Sequence, residues 1–118
     1  MKGEALEQAR ITALMDELLE EFALYWVHVV YKFSTKTEGD RVAAETTTDW
    51  EYRQASIEFC LPVTILETDL GLRRICVHEL VHVLAAPMEM QVRDKPLPNK
   101  LCELAVENLT RALLEVMS

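Results

Sequence analysis

Glycine, proline and cysteine are scarce in this 118-residue chain, with three, four and three copies. That scarcity excludes collagen-like, low-complexity and linker-dominated architectures, which need glycine or proline in bulk. Three cysteines cannot all pair within one chain, and none forms a Cys-x-x-Cys. Cys60, Cys76 and Cys102 lie among apolar residues, where thiols behave as small core hydrophobes, so a reducing compartment is expected. Long hydrophobic runs are missing too. The longest, Phe22–Tyr31, is interrupted by His28 and is too short to span a bilayer. The acidic stretch 1–21 contains no unbroken apolar segment of the signal-peptide kind. Positive charge is in deficit, twelve basic against twenty acidic residues, for a formal net charge of −8. That balance argues against a nucleic-acid partner, which needs a positive face, and against an anionic membrane surface. The expectation is a soluble, cytoplasmic single domain covering 1–118.

What the chain does have is hydrophobic residues, half of the total, and clear periodicity. Over 4–21, Leu6, Ile11, Leu14, Met15, Leu18 and Leu19 recur at three- and four-residue steps, which predicts an amphipathic helix. From Tyr25 the period changes to two: Tyr25, Val27, Val29, Tyr31 and Phe33 alternate with other residues, as in a strand. Glu38-Gly39-Asp40 signals a turn. A Thr- and Ala-rich strand over 41–48 follows, with too little apolar bulk for a sheet centre. A third strand is expected from Arg53 to Cys60, with Ala55, Ile57 and Phe59 on one face, ended by Leu61-Pro62. Thr68 or Asp69 can cap a helix running to about Ala86, apolar nearly all round and hence buried, which Pro87 stops. Residues 87–99 read as a loop. Lys100 to Val116 form a last helix with Leu101, Ala105, Leu109, Ala112, Leu113 and Val116 on one face. The fold class is α+β: a small three-stranded sheet packed against an N-terminal, a buried central and a C-terminal helix.

The central helix carries His78-Glu79-Leu80-Val81-His82, an H-E-x-x-H. At about 100° per residue the two histidines lie about 40° apart and one turn along the axis, so both imidazoles can reach one ion. Glu79 falls beside them, placed to act on a water at such an ion without ligating it. Gly71, Ala85 and Ala86 leave room on that side. Two histidines and a glutamate in an apolar helix are costly to bury unless something pairs them, and a cation would.

A third ligand is needed for a catalytic site. The extended H-E-x-x-H-x-x-G-x-x-H pattern fails, with Ala85 and Met88 at its last two fixed positions. Glu103 and Glu107, four apart on the last helix, are the better candidates. With Leu101 at zero, the apolar arc covers about 0° to 160°, Glu103 lies at about 200°, Leu114 at about 220° and Glu107 at about 240°. Like charges at this spacing repel, and a nearby cation reconciles them. Glu103 is the candidate metal ligand. Glu107 is the candidate acceptor for the free ring N–H of a ligating histidine, or else a solvated partner of Arg111. Cys102 is a rival ligand, but it projects into the apolar arc.

His78-Glu79-Leu80-Val81-His82 followed by Glu103-Leu104-Ala105-Val106-Glu107 resembles the gluzincin branch of the zincin metallopeptidases, with a short spacer. In size the chain is similar to small phage-encoded or cytosolic zinc metallopeptidases. The resemblance implies a zincin-like fold, Zn2+ held by His78, His82 and Glu103, Glu79 as general base, and a peptide or protein substrate. It also implies that the strand before the central helix, about Arg53–Cys60, runs along the cleft. Relatives often carry a downstream Tyr or His for the oxyanion; here only Tyr25, His28, Tyr52 and Arg53 stand as upstream candidates. The expected function is hydrolysis of peptide bonds by a metal-activated water. The alternative is a zincin-like metal-binding, regulatory or structural protein with little or no turnover.

Overall fold

The computed structural model describes residues 2–22, 24, 27–35, 42–49, 52–92 and 98–117. Helix α1 (Lys2–Glu21) leads into strand β1 (His28–Ser34), then β2 (Ala44–Asp49) and β3 (Gln54–Cys60). A single-turn helix α2 (Leu61–Thr64) precedes the long α3 (Asp69–Val92), and α4 (Pro98–Met117) closes the order. The architecture is therefore α+β, with four helices and one three-stranded mixed sheet among the described residues.

The sheet order is β1-β3-β2, so the third strand lies in the middle. β3 pairs parallel with β1 and antiparallel with β2. Its alternation decides which face is covered: Ala55, Ile57 and Phe59 are buried, with Tyr31 and Thr46 flanking Ile57 in the middle row. The other face stays wet. There the rows are His28–Gln54–Asp49, Val30–Ser56–Thr47 and Lys32–Glu58–Glu45, almost wholly polar. A sheet covered on one side only needs that division. Leu61-Pro62 ends β3 as expected, with Pro62 in the first turn of α2, where its missing N–H costs nothing.

One apolar core joins Ile11, Met15 and Leu18 of α1 to the covered sheet face and to Leu72, Val77, Leu80 and Val81 of α3. The α1 stripe begins later than its sequence suggests. Leu6 is exposed while Glu7 is buried, because Arg10 reaches the Glu7 carboxylate at 3.0 Å. The same guanidinium donates to the Glu67 carbonyl and to Asp69 Oδ1, both at 3.0 Å, and so ties α1 to the approach of α3. Thr68 caps α3, its Oγ1 accepting the Gly71 N–H at 3.0 Å.

Several expectations need correction. α3 does not stop at Pro87 but runs to Val92, and α4 begins at Pro98, so most of 87–99 is helical rather than loop. A proline inside a helix removes one hydrogen bond, and here the turn before it is anchored by buried Val83 and Ala86. α3 is also not apolar to the core all round: Leu70 and Leu84 are exposed. On α4 the inward arc is turned by roughly a quarter of the circumference from the apolar stripe. Val106 and Thr110 are buried, Leu113 and Leu114 pack on the core, and Ala105, Leu109, Ala112 and Val116 face out. Buried Thr110 is satisfied by donating to the Val106 carbonyl at 2.7 Å. Tyr25, Trp26, Glu38-Gly39-Asp40 and Trp50, and the side chains of Leu101 and Cys102, lie outside the described residues. No helix among the described residues is long and apolar enough to cross a membrane.

Cys76 sits fully buried on α3, and Cys60 is buried at the end of β3. Burial, with the Glu79 carboxylate nearby, pushes the Cys76 thiol up to about 12. The folded state thus holds this proton more tightly than the unfolded chain. That contribution is intact below the ordinary thiol range near 8.5 and is lost as pH rises toward 12. Alkylation at pH 8, mapped by peptide mass spectrometry, should leave Cys76 unmodified in native protein and label it in urea. Native labelling at the rate of a free thiol would contradict this account.

Candidate metal centre

Side chains from α3, α4 and β2 meet in a cleft of about 830 Å³, bordered by Val42–Thr46 on one side and by Gly71, Arg74, His78 and His82 along its floor. The floor is a single helix face, since 71, 74, 78 and 82 recur at three- and four-residue steps. Glu103 and Glu107 come in from α4, which packs along α3. The strand bordering the cleft is β2, the outer strand, and not β3 as the resemblance implied. β3 has a neighbour on both sides and no edge to offer.

The structure brings His78, His82 and Glu103 together. One donor atom from each lies within 4.8 Å of the others. Glu103 Oε1 is 3.0 Å from His82 Nε2, and its Oε2 is 3.4 Å from His78 Nε2. The two contacts use different oxygens of the same carboxylate, so Glu103 bridges the two rings directly. Donors at about 2.0–2.1 Å from a tetrahedral ion stand about 3.3 Å apart, inside the 4.8 Å limit that these three groups meet. Two imidazoles and a carboxylate are a donor set suited to zinc. The imidazole rings cross at 72° with centroids 5.0 Å apart, edge to face rather than stacked.

Behind His78 lies Glu107. Its Oε2 is 3.0 Å from His78 Nδ1, leaving Nε2 as the nitrogen turned toward Glu103. Glu107 Oε1 pairs with Arg74 and, at 3.4 Å, with Arg111. The hydrogen bond from Arg74 chiefly holds the Glu107 carboxyl below the usual carboxylate range; burial opposes it, and the Arg74 charge and His78 add smaller downward pulls. Both readings of Glu107, on a histidine and on Arg111, therefore describe the same carboxylate.

Glu79 is buried, and its carboxylate accepts a hydrogen bond from Thr46 Oγ1 at 2.7 Å. Burial raises its pKa. The Thr46 hydroxyl and the two histidines pull the other way, and the Glu103 charge adds to the rise. Thr46 and Arg74 escaped the reading of the sequence: a threonine in a Thr-rich strand and an arginine at a helix start carry no local mark. The one available signal for Arg74 is its place four residues before His78.

The other upstream polar candidates do not border this cleft. His28 belongs to a separate hollow on the wet face of the sheet, whereas Tyr52 and Arg53 are exposed before β3. Tyr25 lies outside the described residues.

Replacing Thr46 by Val should cost about 1–3 kcal/mol in urea unfolding at pH 7, because the Glu79 carboxylate loses its donor inside the protein. Thr46→Ser should recover most of that. Glu79→Gln should raise metal-free stability at pH 7, with the gain shrinking as pH falls. A carboxyl whose folded pKa is raised stabilises fully below its unfolded value and loses that as pH climbs through the folded one. Equal stability of Thr46→Val and parent would show that the bond contributes nothing. Set against family models, curated proteins and solved structures, the chain finds no match.

Proposed function

We propose that this chain is a zinc-dependent peptide hydrolase built on a minimal, gluzincin-like single domain working in the cytoplasm. The observation that carries the reading is the convergence of His78, His82 and Glu103 beside Glu79 in one open cleft. His78, His82 and Glu103 would hold the ion, and Glu107 fixes the ring of His78. When bound, zinc supplies Lewis acidity, which acidifies water and polarises a carbonyl oxygen. Glu79 takes the proton of the attacking water and returns it to the leaving amine, and Thr46 keeps its carboxylate in place. An extended peptide would add to the outer edge of β2, whose other side is paired to β3.

A second reading is a metal-holding module without turnover. It is favoured by the absence of His28, Tyr52 and Arg53 from the cleft, which leaves Arg74 as the one cation lining it among the described residues.

Elemental analysis and hydrolysis of unfolded casein separate these readings. The parent should carry about one zinc per chain and cleave. Glu79→Gln should keep zinc and lose at least about a hundredfold in rate, in line with general-base losses. His82→Ala should lose the metal. Zinc without cleavage establishes the second reading, and protein without zinc removes both.

A further inference from the structure

The carboxylates at the cleft are those of Glu67, Glu79, Glu103 and Glu107, against Arg74 as the one cation among the described residues; Glu45 borders it from β2 with its side chain on the wet face. Three of the four are engaged. Glu103 faces the histidines, Glu107 is shared by Arg74, Arg111 and His78, and Glu79 takes the Thr46 hydroxyl. Arg74 is spoken for by Glu107, so the charge left over at the cleft is negative among the described residues.

Glu67 is different. Its main chain is fixed at both ends: the N–H donates to the Thr64 carbonyl at 2.9 Å, and its own carbonyl accepts from Arg10 at 3.0 Å. Its carboxylate has no hydrogen bond or ion pair among the described residues. It lies over Gly71, in the space that a Cβ at that position would need. Glycine inside a helix costs about 1 kcal/mol relative to alanine. Here that cost leaves a seat for a charged group at the end of the floor.

From these placements, and resting on the reading of the cleft as a peptide-hydrolysing site, we propose that Glu67 selects substrates with a lysine or arginine near the scissile bond. Gly71 precedes His78 by seven residues, about 10 Å along the helix at about 1.5 Å per residue. An extended peptide covers that span in about three residues at about 3.3 Å each. The cationic side chain therefore sits two or three positions from the bond to be cut. A carboxylate in a cleft of one sign acts mainly on selectivity and on association rate, and it weakens with salt.

The test uses fluorescein-labelled decapeptides that differ only in Lys, Gln or Glu at one position, with binding read by anisotropy. All proteins carry Glu79→Gln to prevent turnover and are measured with and without zinc. The Lys peptide should bind at least fivefold tighter than its Gln twin, and the Glu peptide weakest. Glu67→Gln should bring the Lys/Gln ratio close to one, and Glu67→Lys should invert it. Gly71→Ala, which displaces the carboxylate, should lower the ratio. Glu58→Gln, on the wet sheet face, should leave it unchanged. A ratio that survives Glu67→Gln, equal binding of the twins, or no binding of any peptide overturns the proposal. A parent protein, with Glu79 intact, that takes up no zinc and cleaves no casein defeats the hydrolase reading, yet the Lys/Gln ratio of the metal-free Glu79→Gln protein still decides the role of Glu67.

Discussion

The contact on which the rest of the site depends is the docking of two α4 carboxylates onto the α3 histidines. Glu103 spans both rings and Glu107 takes the far nitrogen of one of them, so a single helix face supplies both contacts. His78, His82 and Glu107 are partly sheltered from solvent, whereas the Glu103 side chain is 58% exposed. The orientation of α4 is shared between these polar contacts and apolar ones. Val106, Leu113 and Leu114 pack on the core, while Leu104, Leu109 and Val116 stay in water.

The same logic governs Glu79. Its carboxylate is buried beside Cys76 and two imidazoles, and one hydroxyl from the sheet offsets part of the loss of hydration. β2 is thus more than an outer strand. Thr46 stands in the middle row of the covered face, flanking Ile57, so the strand register that packs the core also aims the hydroxyl at α3. Packing and chemistry share one register.

Much of this was legible in the sequence because it is local. The four-residue step from His78 to His82, the alternation of Ala55, Ile57 and Phe59, and the cap at Thr68 need only the helix and strand periods. What was hidden is non-local. The order β1-β3-β2 decides which strand borders the cleft, and no strand announces its neighbour. The rotation of α4 is a contest between a leucine and alanine stripe and two glutamates, settled by groups about 25 residues upstream. Pro87 reads as a stop until the packing of Val83 and Ala86 is known.

Glu103, Glu107 and Arg111 follow one another at four-residue steps along α4, and this order has a bearing on how the helix can slide. A shift of one turn, about 5.4 Å, would offer Glu107 to the histidines in place of Glu103 with almost no change in chemistry at that point. The same shift would bring Arg111 against Arg74, cation on cation, and would set Leu114 where the self-satisfied Thr110 now fits. The sign sequence minus, minus, plus therefore disfavours a one-turn slide of the helix, although the two acids are interchangeable.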